Sequence, residues 1–131
     1  MKMNLVYDDF NVLHKGLLSG HVDILNIVRT EEREGYLNFS NPYSFERDII
    51  VGLRTADEVL DIYGLEGKRV AVVDGFWHEE YLKKNLLSVD IIKTQDIAES
   101  IQAVLEDKAD YFIENPTVVK FYINTYEAHN L

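Results

Sequence analysis

The chain has 131 residues, which is enough for one domain of ordinary size or for two small lobes. With 47% hydrophobic and 27% charged residues, it has the composition of a folded globular protein rather than a disordered one. The net charge of −10 argues against nucleic acid or an anionic membrane surface as a partner, and the absence of cysteine excludes thiol catalysis, disulfides and cysteine-ligated zinc.

The first half of the chain is predicted to form one helix and three strands. Apolar residues at helical spacing predict a helix that is capped by Asp8 or Asp9 and ends at Gly20. A charged turn is expected over residues 30–35. The apolar runs that predict strands span residues 3–7, 22–28 and 45–54.

The second half is predicted to alternate strands with helices. Thr55 and Thr94 are expected to cap helices, and Asn115 followed by Pro116 predicts the start of the last one. The strands predicted here span residues 69–73, 89–92 and 111–113, and a further helix spans residues 78–85. This alternation predicts a parallel or mixed sheet, in which ligands bind beyond the carboxyl ends of the strands.

Two stretches of the chain share a pattern. Residues 18–25 (LSGHVDIL) and 105–112 (LEDKADYF) each contain a helix end, a tight turn, an aspartate and a predicted strand. The likeness suits two similar lobes, although helix–strand junctions of this kind also arise by chance.

No stretch approaches the ~18–20 apolar residues of a membrane helix, and the first residues lack the features of a signal peptide, so any export signal is expected outside this chain.

Three segments carry a recognisable order. The first is LLSGHVDILN at residues 17–26, followed by TEER at 30–33 and LNFSNPY at 37–43. The second is LEGKRVAVVDG at residues 65–75 with EEYL at 79–82, and the third spans residues 97–115 and ends in DYFIEN. From about residue 3 to residue 125, these segments resemble family 3 of the bacterial extracellular solute-binding proteins, which includes polar amino-acid receptors of ABC transporters and sensor domains of histidine kinases.

The resemblance implies a periplasmic-binding-protein-like fold, a two-lobed α/β clamp with mixed sheets and helices on both faces. Residues 1–55 would form a partial first lobe, with a hinge strand at about residues 45–54, and residues 56–131 would form the second lobe. The family's first lobe has a strand and helix before residue 3 and a return of the chain after the second lobe, so the first lobe is expected to be incomplete. Unpaired sheet edges in such a lobe make a homodimer or strand exchange an expectation.

The resemblance assigns part of the ligand site to four residues of the first lobe. Arg33 in TEER matches the arginine that grips the ligand carboxylate in amino-acid-binding members, a task that suits the two parallel donors of a guanidinium. Asn26 and Thr30 would add directional hydrogen bonds, and Arg29 would add a second cation. The structural alternatives are a surface ion pair of Arg33 with a neighbouring glutamate and a turn-capping role for Thr30.

The second-lobe candidates follow two predicted strands and are Gly75, Phe76, Trp77, His78 and Asn115. The turn at residues 75–78 would offer backbone N–H groups to an anion. Amino-acid receptors have small hydroxyl residues in place of Phe76 and Trp77, and often an aspartate in place of Asn115. This difference argues against an ordinary α-amino acid and favours an aromatic or cationic ligand or a closed cleft, unless Trp77 simply packs in the core.

By the same resemblance, the chain is a periplasmic or extracellular module that closes on a small polar or carboxylate ligand. It would be the sensing domain of a membrane receptor, which the altered pocket favours, or the binding component of an amino-acid-type transporter. The scattered histidines lack metal-ligand spacing, and no catalytic residue, metal or cofactor is expected. A dehydratase on the same scaffold and a non-binding, dimerising lobe are the alternatives.

Overall fold

The computed structural model describes residues 2–131, which fall into two compact units. The first unit ends at Ser40 and the second spans Asn41–Leu131. The helices are α1 (Phe10–Ser19), α2 (Glu31–Glu34), α3 (Trp77–Asn85), α4 (Ile97–Leu105) and α5 (Pro116–Tyr126), with a 3₁₀ helix at Ile62–Leu65. The strands are β1 (Ile49–Gly52), β2 (Arg69–Val73), β3 (Asp90–Thr94) and β4 (Tyr111–Glu114). No helix within residues 2–131 is long and apolar enough to cross a membrane.

The first unit contains the predicted helix α1 and a short helix, α2, where a charged turn was expected. Gly20 ends α1 with φ of 79°, a left-handed conformation that glycine adopts without a steric cost, so the predicted stop is confirmed. Neither of the two predicted aspartates caps α1 through its side chain, because Asp8 instead accepts a bond from the N–H of Asp9. The hydroxyl of Thr30 caps α2 by accepting a bond from the N–H of Arg33.

Two strands predicted in the first unit are not formed. Residues 3–7 and 22–28 have no regular secondary structure, and the described residues of the first unit contain no strand. A strand exists only where a neighbouring strand takes up its N–H and C=O groups, and these two runs have no such neighbour within the unit. The apolar side chains of residues 3–7 therefore stay exposed, as Leu5 at 71% and Tyr7 at 85% illustrate, whereas residues 22–28 include both exposed and half-buried apolar side chains.

The second unit is built on a four-stranded sheet in the order β1-β4-β2-β3. Strand β2 is parallel to both β3 and β4, whereas β1 runs antiparallel to β4. Val70 and Val72 pack on one face with α3 and the 3₁₀ helix, and Ala71 packs on the other face with α4 and α5. The predicted mixed sheet with helices on both faces is confirmed, and the predicted strand over residues 45–54 is shorter, at four residues.

The helix caps predicted for the second unit are confirmed only in part. The carboxylate of Asp61 caps the 3₁₀ helix that replaces the helix expected after Thr55. Asp96, not Thr94, caps α4, because the Thr94 hydroxyl is buried and hydrogen-bonded to Ser100 at 2.6 Å. The prediction for α5 is confirmed, since the Asn115 side chain accepts a bond from the N–H of Thr117.

Candidate functional site

The polar groups of the second unit gather at one edge of the sheet. Strands β2, β3 and β4 end there, and β1 begins there because Ile49 pairs with Glu114 in the antiparallel register. The chain before β1, residues 46–48, and the turn from β2 into α3, residues 74–77, therefore reach the same edge. In open α/β sheets this carboxyl edge is where ligands bind.

A buried histidine is paired with an aspartate at this edge. His78, the second residue of α3, is only 3% exposed, and its Nε2 lies 2.7 Å from Oδ2 of Asp48. The Trp77 ring covers the imidazole, with ring centroids 4.5 Å apart. A carboxylate at this distance satisfies the ring nitrogen that burial removes from water and thereby fixes the orientation of the ring.

Beside this pair, Asn115 joins the end of β4 to the chain before β1. Its Oδ1 caps α5, and its Nδ2 donates to Oε2 of Glu46 at 2.6 Å. Glu114, which is 8% exposed, accepts a bond from the N–H of Asn115 at 2.8 Å. Burial raises the pKa of Glu114 above its ordinary value, and the charges of Asp48 and Glu46 act in the same direction, against the bond from Asn115 and the influence of His78.

The two aromatic residues predicted to line the pocket are half-buried around His78. Trp77 also packs against Tyr81 on its own helix, at 5.3 Å between ring centroids, as expected of a packing residue. The Phe76 ring lies 6.1 Å from the imidazole of His78. Gly75 is exposed and has φ of 82°, so the turn into α3 depends on a conformation that glycine adopts readily. The structure thus brings the second-lobe candidates together at one edge, and their role as ligand-binding residues stays a prediction.

In the first unit, Arg33 is the only buried residue among residues 2–40, with 6% exposure. Its guanidinium carbon lies 5.4 Å from the centroid of the Phe10 ring, within the range of a cation–π contact. Its Nη1 donates to the carbonyl of Val28 at 2.8 Å. Arg33 is therefore held in place by packing and hydrogen bonds, unlike an arginine in a solvent-exposed ion pair.

The other three first-lobe candidates lie around α2. Nε of Arg29 donates to Oε1 of Glu34 at 2.7 Å, an exposed ion pair of the kind that adds little stability. Thr30 caps α2, which is the structural role weighed for it against ligand binding. Asn26 is exposed. As with the second-lobe candidates, whether these residues bind a ligand stays a prediction.

Sequence reasoning missed several neighbours of these candidates. Glu46 and Asp48 fall within the predicted strand over residues 45–54, yet two acidic residues directly before the start of β1 are a usable signal. His14 lacks metal-ligand spacing to the other histidines, but it stands four residues after Phe10 on α1 and therefore on the same helix face. The pairing of His78 with Asp48 joins residues 30 positions apart, which no local motif signals.

The edge of the second unit offers carboxylates, a carboxamide and aromatic rings. Such groups accept hydrogen bonds and attract positive charge, and they suit a polar ligand that carries a donor or a cationic group. Within residues 2–131, no group of three or more histidine, aspartate or glutamate side chains is placed to hold a metal ion. An open mixed sheet with polar groups at its carboxyl edge is the architecture of ligand-binding α/β proteins.

The sequence relatives are binding and sensor proteins. No protein-family model matches the chain. It is 26% identical to a probable histidine-binding protein of Campylobacter jejuni, an alignment that covers 92% of this chain and 52% of that protein. It is 28% identical to the probable amino-acid-binding protein YxeM of Bacillus subtilis (91% and 47% covered) and 26% identical to the virulence sensor protein BvgS of Bordetella pertussis (88% and 9%). The chain thus spans about half the length of the two binding proteins.

The solved structures that superpose on the chain include a binding protein and a sensor domain, as the sequence relatives do. An ancestral arginine-binding protein bound to arginine is 27% identical and superposes with a TM-score of 0.74, over 90% of this chain and 54% of that one. A histidine kinase sensor domain with similarity to periplasmic binding proteins superposes with a TM-score of 0.79 over 92% and 54%, and its 22% identity shows the fold alone. The chain has a periplasmic-binding-protein-like fold, and its resemblance to extracellular solute-binding proteins is confirmed.

Proposed function

We propose that the chain is a large part of a periplasmic or extracellular module that binds a small polar or carboxylate ligand. The observation that carries this proposal is the set of relatives, since two binding proteins and a sensor protein align with about nine-tenths of the chain. The gathering of the second-unit candidates at the carboxyl edge of the sheet supports it, because that is where the fold binds its ligands.

The second-unit edge supports a ligand with a positively charged or hydrogen-bond-donating part. Glu46, Asp48 and Glu114 lie at this edge together with the half-buried Phe76 and Trp77. Arg33 in the first unit would bind a ligand carboxylate through the guanidinium donors that suit planar carboxylates. A basic or aromatic amino acid, or a related zwitterion, offers a carboxylate and a cationic or aromatic part, and it suits these residues better than an acidic amino acid does.

A sensing role is favoured over a transport role, because the pocket residues differ from those of ordinary amino-acid receptors. Trp77 and Phe76 stand where amino-acid receptors have small hydroxyl residues, so the pocket differs from that of an ordinary receptor.

The module is proposed to bind without catalysis, because the sequence relatives are named as binding and sensor proteins. A homodimer is also proposed, since the apolar residues 3–7 are exposed and have no strand partner within their unit, so that they could pair with a second copy.

The test is isothermal calorimetry with a panel of amino acids, including L-arginine, L-histidine and L-glutamine. We expect micromolar binding of at least one basic or aromatic member, and at least a tenfold loss of affinity in Arg33→Ala, because a charge-assisted bidentate contact contributes about 1.5–3 kcal/mol. Lys15→Ala is the matched control, since Lys15 is an exposed cation on α1 and its removal changes the net charge equally.

The outcomes separate clearly. Binding that is kept in Lys15→Ala, and lost in an Arg33→Ala chain whose spectrum remains that of the folded native chain, supports the proposal. Unchanged binding in Arg33→Ala removes Arg33 from the site. The absence of binding by every member of the panel, from a chain with a folded spectrum, contradicts the proposal that this chain binds such ligands.

A further inference from the structure

Arg33 has a titratable neighbour in the first unit. The imidazole of His14 stacks on the ring of Phe10 with centroids 5.6 Å apart, and the guanidinium of Arg33 lies over the same ring at 5.4 Å. The hydroxyl of Tyr36 lies 3.3 Å from Nε2 of His14. One phenyl ring thus contacts both a permanent cation and a base whose charge changes near neutral pH.

The surroundings of His14 disfavour the charged form of its imidazole. Burial lowers the pKa of His14, and the positive charge of Arg33 lowers it further, because a second cation nearby is disfavoured. The groups that face the imidazole are Phe10 from its own helix α1, Arg33 from α2, and Tyr36 just after α2. A negative charge that arrives at Arg33 would offset the second of the two causes.

We infer that His14 is a positioning residue coupled to Arg33, which takes up a proton from solvent when an anionic group of the ligand binds at Arg33, so that carboxylate affinity rises as the pH falls. This inference rests on the proposed function, since it needs a ligand carboxylate at Arg33. It adds a residue outside the predicted site and gives the site a pH dependence.

Tyr36 provides a route by which the proton changes the site. With a neutral imidazole, the Tyr36 hydroxyl and Nε2 of His14 share one hydrogen, and either atom can be the donor. A protonated imidazole has only donors, so the Tyr36 oxygen must accept and its own O–H is released to another acceptor. Protonation therefore adds a positive charge beside the Phe10 ring that Arg33 also contacts, and it redirects the Tyr36 hydroxyl in the tautomer in which Tyr36 is the donor.

The size of the effect follows from linkage. Each unit by which the bound anion raises the pKa of His14 makes binding about tenfold tighter at a pH below both values. Because His14 keeps part of its solvent contact, we expect an affinity several-fold higher at about pH 5.5 than at about pH 8, and uptake of up to about one proton per ligand between these limits. A group that only supports the fold would change affinity equally at every pH.

The test is calorimetry with L-arginine and L-glutamine over that pH range, in pairs of buffers with different ionisation enthalpies, which counts the protons taken up. The side chain of neither ligand titrates in this range, whereas the side chain of L-histidine would add its own protons. The variant is His14→Gln, and His21→Gln is the matched control because His21 is exposed in the same unit. Glu114→Gln is measured as well, since its raised pKa could contribute protons of its own.

Proton uptake that persists in His21→Gln and Glu114→Gln and disappears in His14→Gln supports the inference. Binding without uptake, or with the same pH profile in His14→Gln, overturns it and leaves the proposed function standing. If neither ligand binds, the proposed function for these ligands fails and the inference falls with it. Should His14→Gln not fold, the NMR titration of His14 in the native chain decides, because the bound ligand must raise its titration midpoint.

Discussion

At the scale of single residues, the second unit disfavours the ionised form of Glu114. This carboxyl is buried at the end of β4 beside Asp48 and Glu46, and the same burial that raises its pKa disfavours its ionised form. Binding sites often keep such groups, because a ligand with a positive charge relieves the cost that the empty site carries.

The first residue-scale prediction concerns stability and pH. The folded chain holds the proton of Glu114 at a pH where the unfolded chain, with an ordinary pKa of about 4.5, has lost it. The contribution of Glu114 is therefore most favourable below that ordinary pKa and decreases as the pH rises through the raised value in the folded chain. Glu114→Gln keeps an acceptor for the N–H of Asn115 and should be more stable than the native chain at neutral pH.

Urea unfolding at several values of pH measures this difference. The gain of Glu114→Gln over the native chain should grow between about pH 4.5 and pH 8, and the control Glu58→Gln, at an exposed glutamate, should show no such growth. A stability difference that does not change with pH would mean that Glu114 ionises as readily in the folded chain as in the unfolded one.

At the scale of elements, helix starts were predicted well where a cap residue is followed by a second local signal. Asn115 with Pro116 begins α5 as predicted, since proline at the first helical position needs no N–H partner. Thr94 alone was misleading, because its hydroxyl bonds with Ser100 inside the fold while Asp96 caps α4. The choice between two nearby cap residues depends on which side chain the fold buries.

Asn115 allows the cap of α5 to be tested apart from its contact with Glu46. Asn115→Ala removes both interactions, whereas Asn115→Ser removes the contact with Glu46 and keeps a good cap residue. We expect Asn115→Ser to be more stable than Asn115→Ala by about 1 kcal/mol, measured by urea unfolding at neutral pH. Equal stabilities of the two variants would mean that the side-chain cap contributes nothing to stability.

At the scale of the whole molecule, the core lies in one unit. Among residues 2–131, every buried residue other than Arg33 belongs to the second unit, where the two faces of the sheet are covered by helices. A unit that buries its apolar surface by itself is able to fold by itself.

We therefore predict that a fragment of residues 41–131 folds cooperatively without the first unit. It should give a dispersed NMR spectrum and a single sigmoidal urea transition, with a midpoint close to that of the corresponding transition in the full chain. A collapsed fragment with broad signals would show that the second unit needs residues 2–40 for its stability.

Much of the fold could be predicted from the sequence, and less of the site. The alternation of strands and helices in the second unit followed from apolar runs and caps, because these are local signals. The approach of Asp48 to His78, and of Glu46 to Asn115, depends on β1 pairing antiparallel with β4, which no local pattern determines. The importance of His14 likewise depends on where Arg33 packs.

The two similar stretches of the chain separate what the sequence determined from what the tertiary structure decided. By itself, the sequence determined the helix end and the turn in both, because apolar spacing and turn residues act locally. Residues 111–114 became a strand because β1 and β2 take up their backbone hydrogen bonds, whereas residues 22–28 have no strand partner within their unit. A strand is a property of the sheet that holds it, and only the tertiary structure supplies that sheet.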